Sequence, residues 1–341
     1  TRIFGDLGFQ SAASNLLSTP DANSLVDVFK RSGGANRRIN VDENGNAAIG
    51  GDSRNIERRE GDKLVFESDA TNLVAGDTNG VTDVFDNFIY GTNGNILTLV
   101  SVATDGGPAN GPSRRPTSHI LPGSPFPWVA YESDATNLVV DDDNGVTDIF
   151  LAGYTFFQPY TIRVSVGPGG VQANGPSRRP YVAPAGDDAF GSDLIVAFES
   201  DATNLVPGDT NGAADVFVVL VRNDLPTGIV ERVSVATGGG QADGPSSVRR
   251  VSEDGRYVVF TSDATNLVSN DTNGATDVFV YDRITRSTTR VNVDSAGAES
   301  AGDAGNPANV GFQKVADGIA FASGAGDLVA SDTNGVVDVF L

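Results

Sequence analysis

Short runs of alternating apolar and polar residues recur throughout the chain, and turn-forming residues separate them. The runs Tyr257–Ser262 (YVVFTS) and Arg290–Val293 (RVNV) have a period of two, which places their aliphatic side chains on one face. Asp254-Gly255, before the first of them, is a strong signal for a two-residue hairpin turn. This pattern predicts an all-β protein built from short, half-buried strands.

The strands belong to a repeating unit that is marked by an acidic hairpin, Asp-x-Asn-Gly-x-x-Asp-(Val/Ile)-Phe. Five full copies are present, and a divergent copy with Asp21, Asn23 and Asp27 precedes them. The last Asp of successive copies falls at positions 27, 83, 148, 215, 277 and 338, so neighbouring copies lie 56 to 67 residues apart. That spacing suits a unit of four strands. We expect a single domain, 1–341, with units at approximately 1–41, 42–102, 103–166, 167–235, 236–293 and 294–341.

Each unit contains the elements of a known repeat. Residues 252–293 read SEDGRYVVFTSDATNLVSNDTNGATDVFVYDRITRSTTRVNV, in which a Ser-x-Asp-Gly-Arg turn precedes a Phe-x-Ser strand and an Asp-Val-Phe-Val strand. This arrangement resembles the repeat of TolB-like proteins over essentially the whole chain, apart from a longer hairpin at ATNLVSNDTNG. The resemblance implies an all-β, six-bladed β-propeller of four-stranded antiparallel blades. Such propellers serve as scaffolds, binding modules and enzyme appendages, so the resemblance implies no single function.

The charge balance argues against several classes of partner. Lysine and arginine number 23 against 44 aspartates and glutamates, and the net charge of −21 repels phosphate backbones and anionic membranes. No apolar run approaches the ~20 residues that cross a bilayer. We therefore predict no nucleic acid partner and no membrane insertion. The chain starts at Thr1 and contains no methionine, which favours an exported protein, either extracellular or in the periplasm or cell envelope.

The acidic hairpin is a candidate calcium site. Each copy brings two carboxylates and an amide oxygen close together in sequence, and Ca²⁺ prefers about six to eight oxygen ligands. The candidate ligands are the first Asp, the Asn and the last Asp of the five full copies: Asp77, Asn79, Asp83, Asp142, Asn144, Asp148, Asp209, Asn211, Asp215, Asp271, Asn273, Asp277, Asp332, Asn334 and Asp338. The alternative is structural, because Asn-Gly forms turns, the first Asp can cap the loop and the last Asp can start the next strand. The sequence leaves both interpretations open.

Paired arginines follow a Gly-Pro-Ser turn in three units. In propellers of this type the strand after that turn faces the central channel, so these arginines could surround a site for an anion or a carboxylate. The candidate ligand residues are Arg114, Arg115, Arg178, Arg179, Arg249 and Arg250. Salt bridges to the acidic hairpins of neighbouring units are the alternative role.

Catalytic motifs are scarce. His119 is the single histidine and cysteine is absent, so the sequence offers no zinc cluster and no thiol nucleophile. We predict a non-catalytic, exported binding or structural module with a protein or glycan partner and no cofactor other than Ca²⁺, and we assign no catalytic residue. Two alternatives stay open. One is a secreted propeller enzyme, lactonase-like or polysaccharide-cleaving, that uses acidic residues and a metal, and the other is a subunit of a larger extracellular assembly.

Overall fold

A computed structural model describes residues 7–18, 21, 23–58, 64–88, 96–121, 124, 126–155, 158–185, 193–222, 225–302, 314–315, 318–319, 321–330, 332–334 and 336–341. These residues form 23 β-strands and one short 3₁₀ turn, Pro168–Gly170. The prediction of an all-β protein is therefore confirmed. No helix in this part of the chain is long and apolar enough to cross a membrane.

The first compact unit, Thr1–Ser165, contains antiparallel sheets whose strands pair in chain order. The first sheet has three strands: β1 (Leu7–Ser11), β2 (Asp27–Ser32) and β3 (Ala35–Arg38). The second has four: β4 (Ser53–Arg58), β5 (Leu64–Ser68), β6 (Asp83–Phe88) and β7 (Ile96–Leu99). The third also has four: β8 (Ser113–His119), β9 (Trp128–Ser133), β10 (Asp148–Thr155) and β11 (Gln158–Arg163).

The second compact unit, Val166–Leu341, continues the same pattern. One four-stranded sheet consists of β12 (Ser177–Pro184), β13 (Leu194–Ser200), β14 (Asp215–Arg222) and β15 (Leu225–Arg232). The next consists of β16 (Ser246–Val251), β17 (Tyr257–Ser262), β18 (Asp277–Asp282) and β19 (Ser287–Arg290). The remaining described strands form two pairs, β20 (Lys314–Val315) with β21 (Gly318–Ile319) and β22 (Phe321–Ser323) with β23 (Asp338–Phe340).

The predicted four-stranded repeat is confirmed in the second to fifth units. Within the described residues, the first unit has three strands and the sixth has two separate pairs. The boundary between the compact units, after Ser165, falls between the third and fourth repeats. The blade count of six, the radial arrangement and the single domain therefore stay predictions.

An aromatic pair marks the core of each repeat. Phe66 on β5 lies opposite Phe85 on β6, and their ring centroids are 5.8 Å apart. The same cross-strand pairing recurs in the other repeats: Phe9–Phe29, Tyr131–Phe150, Phe198–Phe217, Phe260–Phe279 and Phe321–Phe340. Cross-strand pairs of this kind add to the burial of their apolar area. The repeated Phe-x-Ser and Asp-Val-Phe motifs thus supply the two halves of one packing contact.

The fourth strand ends earlier than the sequence pattern predicts. The run predicted as a strand at Arg290–Val293 contributes only Arg290, because β19 ends there, and in the second repeat β7 likewise ends at Leu99. Ser101 is fully buried, and its hydroxyl accepts a hydrogen bond from the backbone NH of Val84. The serine side chain thus takes the place of a backbone partner, and the chain leaves the sheet. The corresponding strands in the next three repeats end in the same way, at Arg163, Arg232 and Arg290.

Candidate functional site

The acidic hairpin folds around its asparagine. In the fourth repeat the amide oxygen of Asn211 accepts a hydrogen bond from the backbone NH of Ala213. Its amide nitrogen donates to the Asp215 carboxylate at 2.9 Å and to the Ala242 carbonyl at 3.0 Å. Gly212 has a φ of +65°, a left-handed conformation that favours glycine. The asparagine therefore connects the turn to the last Asp and to the next polar segment, as the structural interpretation requires.

The last Asp of the hairpin is a buried carboxylate in the first five repeats, and it starts a strand in all six. In the second repeat Ser101 donates to Asp83 at 2.6 Å, and in the fourth Ser234 donates to Asp215 at 2.5 Å. In the first and fifth repeats an asparagine side chain, Asn40 or Asn292, takes the role of the serine. The segment after the fourth strand thus supplies a hydrogen-bond donor to this buried acid.

An arginine lies between the two acids of most hairpins. In the fourth repeat, Nη1 of Arg232 is 3.1 Å from Asp209 and 3.2 Å from Asp215. The first, third and fifth repeats make the equivalent contacts through Arg38, Arg163 and Arg290. These guanidinium groups take the position that a bound cation would need, and each balances part of the negative charge of its hairpin.

The second repeat lacks this arginine, because Leu99 ends β7 at the corresponding position. Asp77 is 5% exposed and Asp83 is fully buried. Burial raises the pKa of Asp83 to about 6, and the charge of Asp77 raises it as well, while hydrogen bonds from Ser101 and Asn79 lower it. Burial also raises the pKa of Asp77 above its usual range, against a lowering by the backbone NH of Asn79. Two buried acids therefore lie together, and no arginine or lysine among the described residues forms a salt bridge with either of them.

The fifth repeat holds the one described group of three acids near enough to share a metal ion, namely Asp271, Asp277 and Glu299. Nη1 of Arg290 lies 3.5, 3.1 and 2.9 Å from these three carboxylates. Burial and repulsion by Asp277 raise the pKa of Asp271 to about 6, although Arg290 opposes the shift. Hydrogen bonds from Thr272 lower the pKa of Glu299 to about 2. A metal ion at this triad would have to displace the guanidinium group.

The predicted metal ligands thus divide according to the arginine of their repeat. In the third, fourth and fifth repeats the two acids contact a guanidinium group, and the asparagine donates to the last Asp: Asp142, Asn144, Asp148, Asp209, Asn211, Asp215, Asp271, Asn273 and Asp277. In the sixth repeat, Asn334 donates to Asp338 at 2.8 Å in a largely exposed hairpin that also contains Asp332. The hairpin of the second repeat is also buried, but none of the described arginines contacts its two acids.

The first arginine of each Ser-Arg-Arg segment forms a surface salt bridge in its own sheet. Arg114 is 3.1 Å from Asp134, and Arg178 is 2.8 Å from Asp201, with side chains about 40% exposed. These acids belong to the Ser-Asp-Ala segment and not to an acidic hairpin of a neighbouring unit. Exposed pairs of this kind stabilise a protein only slightly.

The second arginine of the segment lies at a β-bulge. Arg115 and Arg179 have φ values of +50° and +53°, and the register of β8 and β12 shifts at these points. Positive φ is uncommon for residues other than glycine, and bulges redirect side chains. The backbone NH of Arg115 donates to Glu67 of the preceding sheet at 2.7 Å. The register of β16 also shifts, between Val248 and Arg250.

A cleft of about 460 Å³ lies beside the bulge of β16 in the second unit. Glu199 accepts hydrogen bonds from Ser247 at 2.5 Å and from Arg179 at 3.2 Å. Arg249 donates to Thr261 at 3.1 Å, and burial together with the charge of Arg179 lowers the pKa of Arg249 below its usual range. The residues that line the cleft are mostly polar: Glu199, Ala214, Pro245, Ser246, Ser247, Arg249, Thr261, Ser262, Asp263 and Thr276.

The sequence analysis named Arg249 as a candidate ligand residue but gave no role to Glu199. A signal for Glu199 was present, because the residue after the aromatic that recurs in each repeat points to the opposite face of its strand. Glu199 on β13 therefore lies on the same face of the sheet as Arg178 on β12, with which it pairs in register. The bulge that positions the second arginine has no comparable signal, since neither Arg115 nor Arg179 is a residue type that favours positive φ.

No protein-family model and no curated protein matches the sequence. Among solved structures, the α-L-arabinofuranosidase of Fusarium graminearum is 12% identical over 94% of this chain and 85% of its own, with a TM-score of 0.42. A puromycin hydrolase mutant is 11% identical over 95% of this chain and 39% of its own, with a TM-score of 0.45. The α-L-arabinofuranosidase of Lactobacillus brevis is 12% identical over 86% and 89%, with a TM-score of 0.35. Similarity at this level carries no argument about function, and the resemblance to TolB-like repeats stays a prediction.

Proposed function

We propose that the six repeats form a six-bladed, TolB-like β-propeller that acts as a non-catalytic glycan-binding module. The polar cleft of the second unit carries this proposal. Its volume of about 460 Å³ suits a small ligand, and hydroxyl, carboxylate and guanidinium groups line it. A sugar presents many hydroxyl groups, and each needs a donor or an acceptor when it is removed from water. Glu199, Ser247 and Arg249 offer both kinds of group on rigid strands.

A glycan array probed with the full chain tests this proposal. Arg249→Ala removes a cleft side chain and should reduce binding to any retained glycan by about ten- to a hundredfold, because a charged hydrogen bond contributes roughly 1.5–3 kcal/mol. Arg178→Ala is the matched control, since this arginine pairs with Asp201 at the surface and does not line the cleft. The control should bind within about twofold of the wild type. Equal losses in both variants, or no glycan retained by the wild type, would contradict the proposal.

A polysaccharide-cleaving enzyme is the second candidate function, and one observation favours it. Two carboxylates, Glu199 and Asp263, line the same cleft, and most glycosidases act through a pair of carboxyl groups. Thr276 donates to Asp263 at 2.5 Å, and Ser247 and Arg179 donate to Glu199, so both acids are held in place.

Release of reducing sugar from the glycans that bind distinguishes the two functions. Cleavage that Glu199→Gln and Asp263→Asn each abolish, with binding retained, would establish the enzyme. Binding without release by the wild type would support the module. The glycan proposal also favours a location outside the cytoplasm, which fractionation of the native host would test. Assembly into a larger complex stays a prediction that light scattering of the purified chain addresses.

A further inference from the structure

Two buried carboxylates of the second repeat lack the positive charge that their counterparts have. Asp77 is 5% exposed and Asp83 is fully buried. Oδ1 of Asp77 is inaccessible to water and accepts no hydrogen bond in the described part of the chain. No lysine or arginine nitrogen of the described residues lies within 4.0 Å of either carboxylate. An unpaired buried acid costs several kcal/mol, so this arrangement calls for a compensating partner.

The other repeats show where that partner belongs. In the first, third, fourth and fifth repeats, an arginine nitrogen lies 2.8–3.5 Å from the first acid and 3.1–3.6 Å from the last acid. The guanidinium group of these repeats thus shows where a single positive charge can contact both carboxylates of the hairpin. In the second repeat Leu99 takes the place of that arginine and packs against the core of its sheet.

The chemistry of the available ligands selects the kind of cation. Asp77 and Asp83 present carboxylate oxygens, and the chain contains no cysteine and only one histidine, His119. Oxygen-only sites favour hard cations, and Ca²⁺ tolerates the irregular geometry of a loop better than Mg²⁺ does. Backbone carbonyls and water can complete its coordination shell. We propose that Asp77 and Asp83 bind one Ca²⁺ ion, which replaces the arginine that the other hairpins use.

A route for the ion is present beside the site. A groove of about 1150 Å³ runs along the hairpin and includes Asp77 and Thr78 in its wall. Asp42 and Glu43 line the same groove, as do Arg37 and Arg38. Arg38 already contacts Asp21 and Asp27 in the first repeat. The net charge of −21 further raises the local concentration of cations.

Replacing Leu99 with arginine tests the proposal directly. We compare thermal unfolding of the full chain in excess EDTA and in about 10 mM CaCl₂, well above the ~0.1–1 mM Kd of weak extracellular calcium sites. Ca²⁺ should raise the midpoint of the wild type by about 2–8 °C, because the ion binds only the folded state. Leu99→Arg should raise the midpoint in EDTA and remove most of the calcium response. Calorimetric titration with CaCl₂ should show one binding site fewer in this variant.

The reciprocal change in the fourth repeat provides the matched control. Arg232→Leu should lower the midpoint in EDTA and gain a calcium response, because it recreates the second repeat's arrangement around Asp209 and Asp215. If Arg232→Leu does not fold, Asp77→Asn serves instead and should abolish the wild-type calcium response. The proposal is overturned if Ca²⁺ leaves the wild-type midpoint unchanged, or if Leu99→Arg keeps the full response.

Discussion

The second and fourth repeats build the same hairpin with different charge compensation. In both, the last Asp starts a strand, and the glycines Gly80 and Gly212 have φ values of +68° and +65°. The fourth repeat places Arg232 between its two acids, whereas the second has Leu99 at that position. Because the turn is the same in both repeats, Asn, Gly and the last Asp determine the backbone. The arginine determines only the charge that the hairpin carries.

Replacing the last Asp of the hairpin should produce the largest difference in stability between the two repeats. Asp215→Asn leaves the partly buried side chain of Arg232 with one acid fewer and weakens the hydrogen bond that Ser234 donates to residue 215, so we expect a loss of about 3 kcal/mol. Asp83→Asn removes a repulsion from Asp77 and should cost less than about 1 kcal/mol in EDTA. Chemical unfolding of the full chain in EDTA measures both.

A surface control accompanies this comparison. Asp201→Asn breaks an exposed pair with Arg178 and should cost no more than about 0.5 kcal/mol. If Asp83→Asn and Asp215→Asn destabilise the protein equally, the arginine does not distinguish the two repeats. The comparison with the arginine-bearing repeats would then no longer support the calcium proposal.

The hairpin asparagine should matter according to its burial. Asn211→Ala removes donors to Asp215 and to the Ala242 carbonyl, and we expect a loss of about 1–2 kcal/mol. Asn334→Ala removes an equivalent bond to Asp338 in an exposed hairpin, where water can replace it, and should cost less than about 0.5 kcal/mol. Thermal unfolding midpoints of the two variants give the comparison. Similar shifts would mean that the asparagine acts through the turn alone.

Much of the fold follows from the sequence because each repeat states the same pattern. The Phe-x-Ser and Asp-Val-Phe motifs predicted two adjacent strands, and the structure places Phe260 opposite Phe279. The last Asp was predicted to start a strand, as Asp277 does. These features depend on contacts between strands that are neighbours in sequence. Local patterns are sufficient to predict contacts of this range.

The counterion of the hairpin was harder to predict because its members are distant in sequence. Arg232 lies 23 residues after Asp209, and alternation showed only that it faces away from its aliphatic neighbours. The sequence also shows Leu99 where four other repeats have arginine. The importance of that difference becomes clear only from the structure, in which those arginines form salt bridges with the hairpin acids. The cleft at β16 lies beside a register shift between Val248 and Arg250, and backbone irregularities of this kind leave no clear mark in composition.

The glycine of the hairpin allows a smaller test of what the two repeats share. Gly212→Ala should cost about 1 kcal/mol, because the positive φ is unfavourable for a residue with a Cβ atom, although no atom lies within 4 Å of that Cβ. Gly80→Ala should cost the same amount, since the second repeat has the same turn. Gly240→Ala is the control, because its φ is not positive and its nearest neighbour is the Ala236 side chain at 3.9 Å. Unequal costs at Gly80 and Gly212 would show that charge compensation also influences the backbone.

The smallest expected effect is a change in the pH dependence of stability that arises from the fifth repeat. It tests whether Arg290 balances the charge of all three acids that it contacts. Burial and repulsion by Asp277 raise the pKa of Asp271 to about 6, while Arg290 opposes and Glu299 adds to the shift. The native state therefore binds this proton more tightly than the unfolded state, and its stabilising effect is lost as the pH rises through about 4 to 6. Asp271→Asn lacks this dependence.

We expect Asp271→Asn to match the wild type near about pH 4 and to exceed its unfolding midpoint by about 1–2 °C above about pH 7, since solvent screens part of the repulsion. Thermal unfolding at a series of pH values, with EDTA throughout, measures the difference. A difference that grows as the pH falls would mean that Asp271 is stabilised as an anion. In that case Arg290 would fully balance its triad, and the fifth repeat would resemble the fourth and not the second.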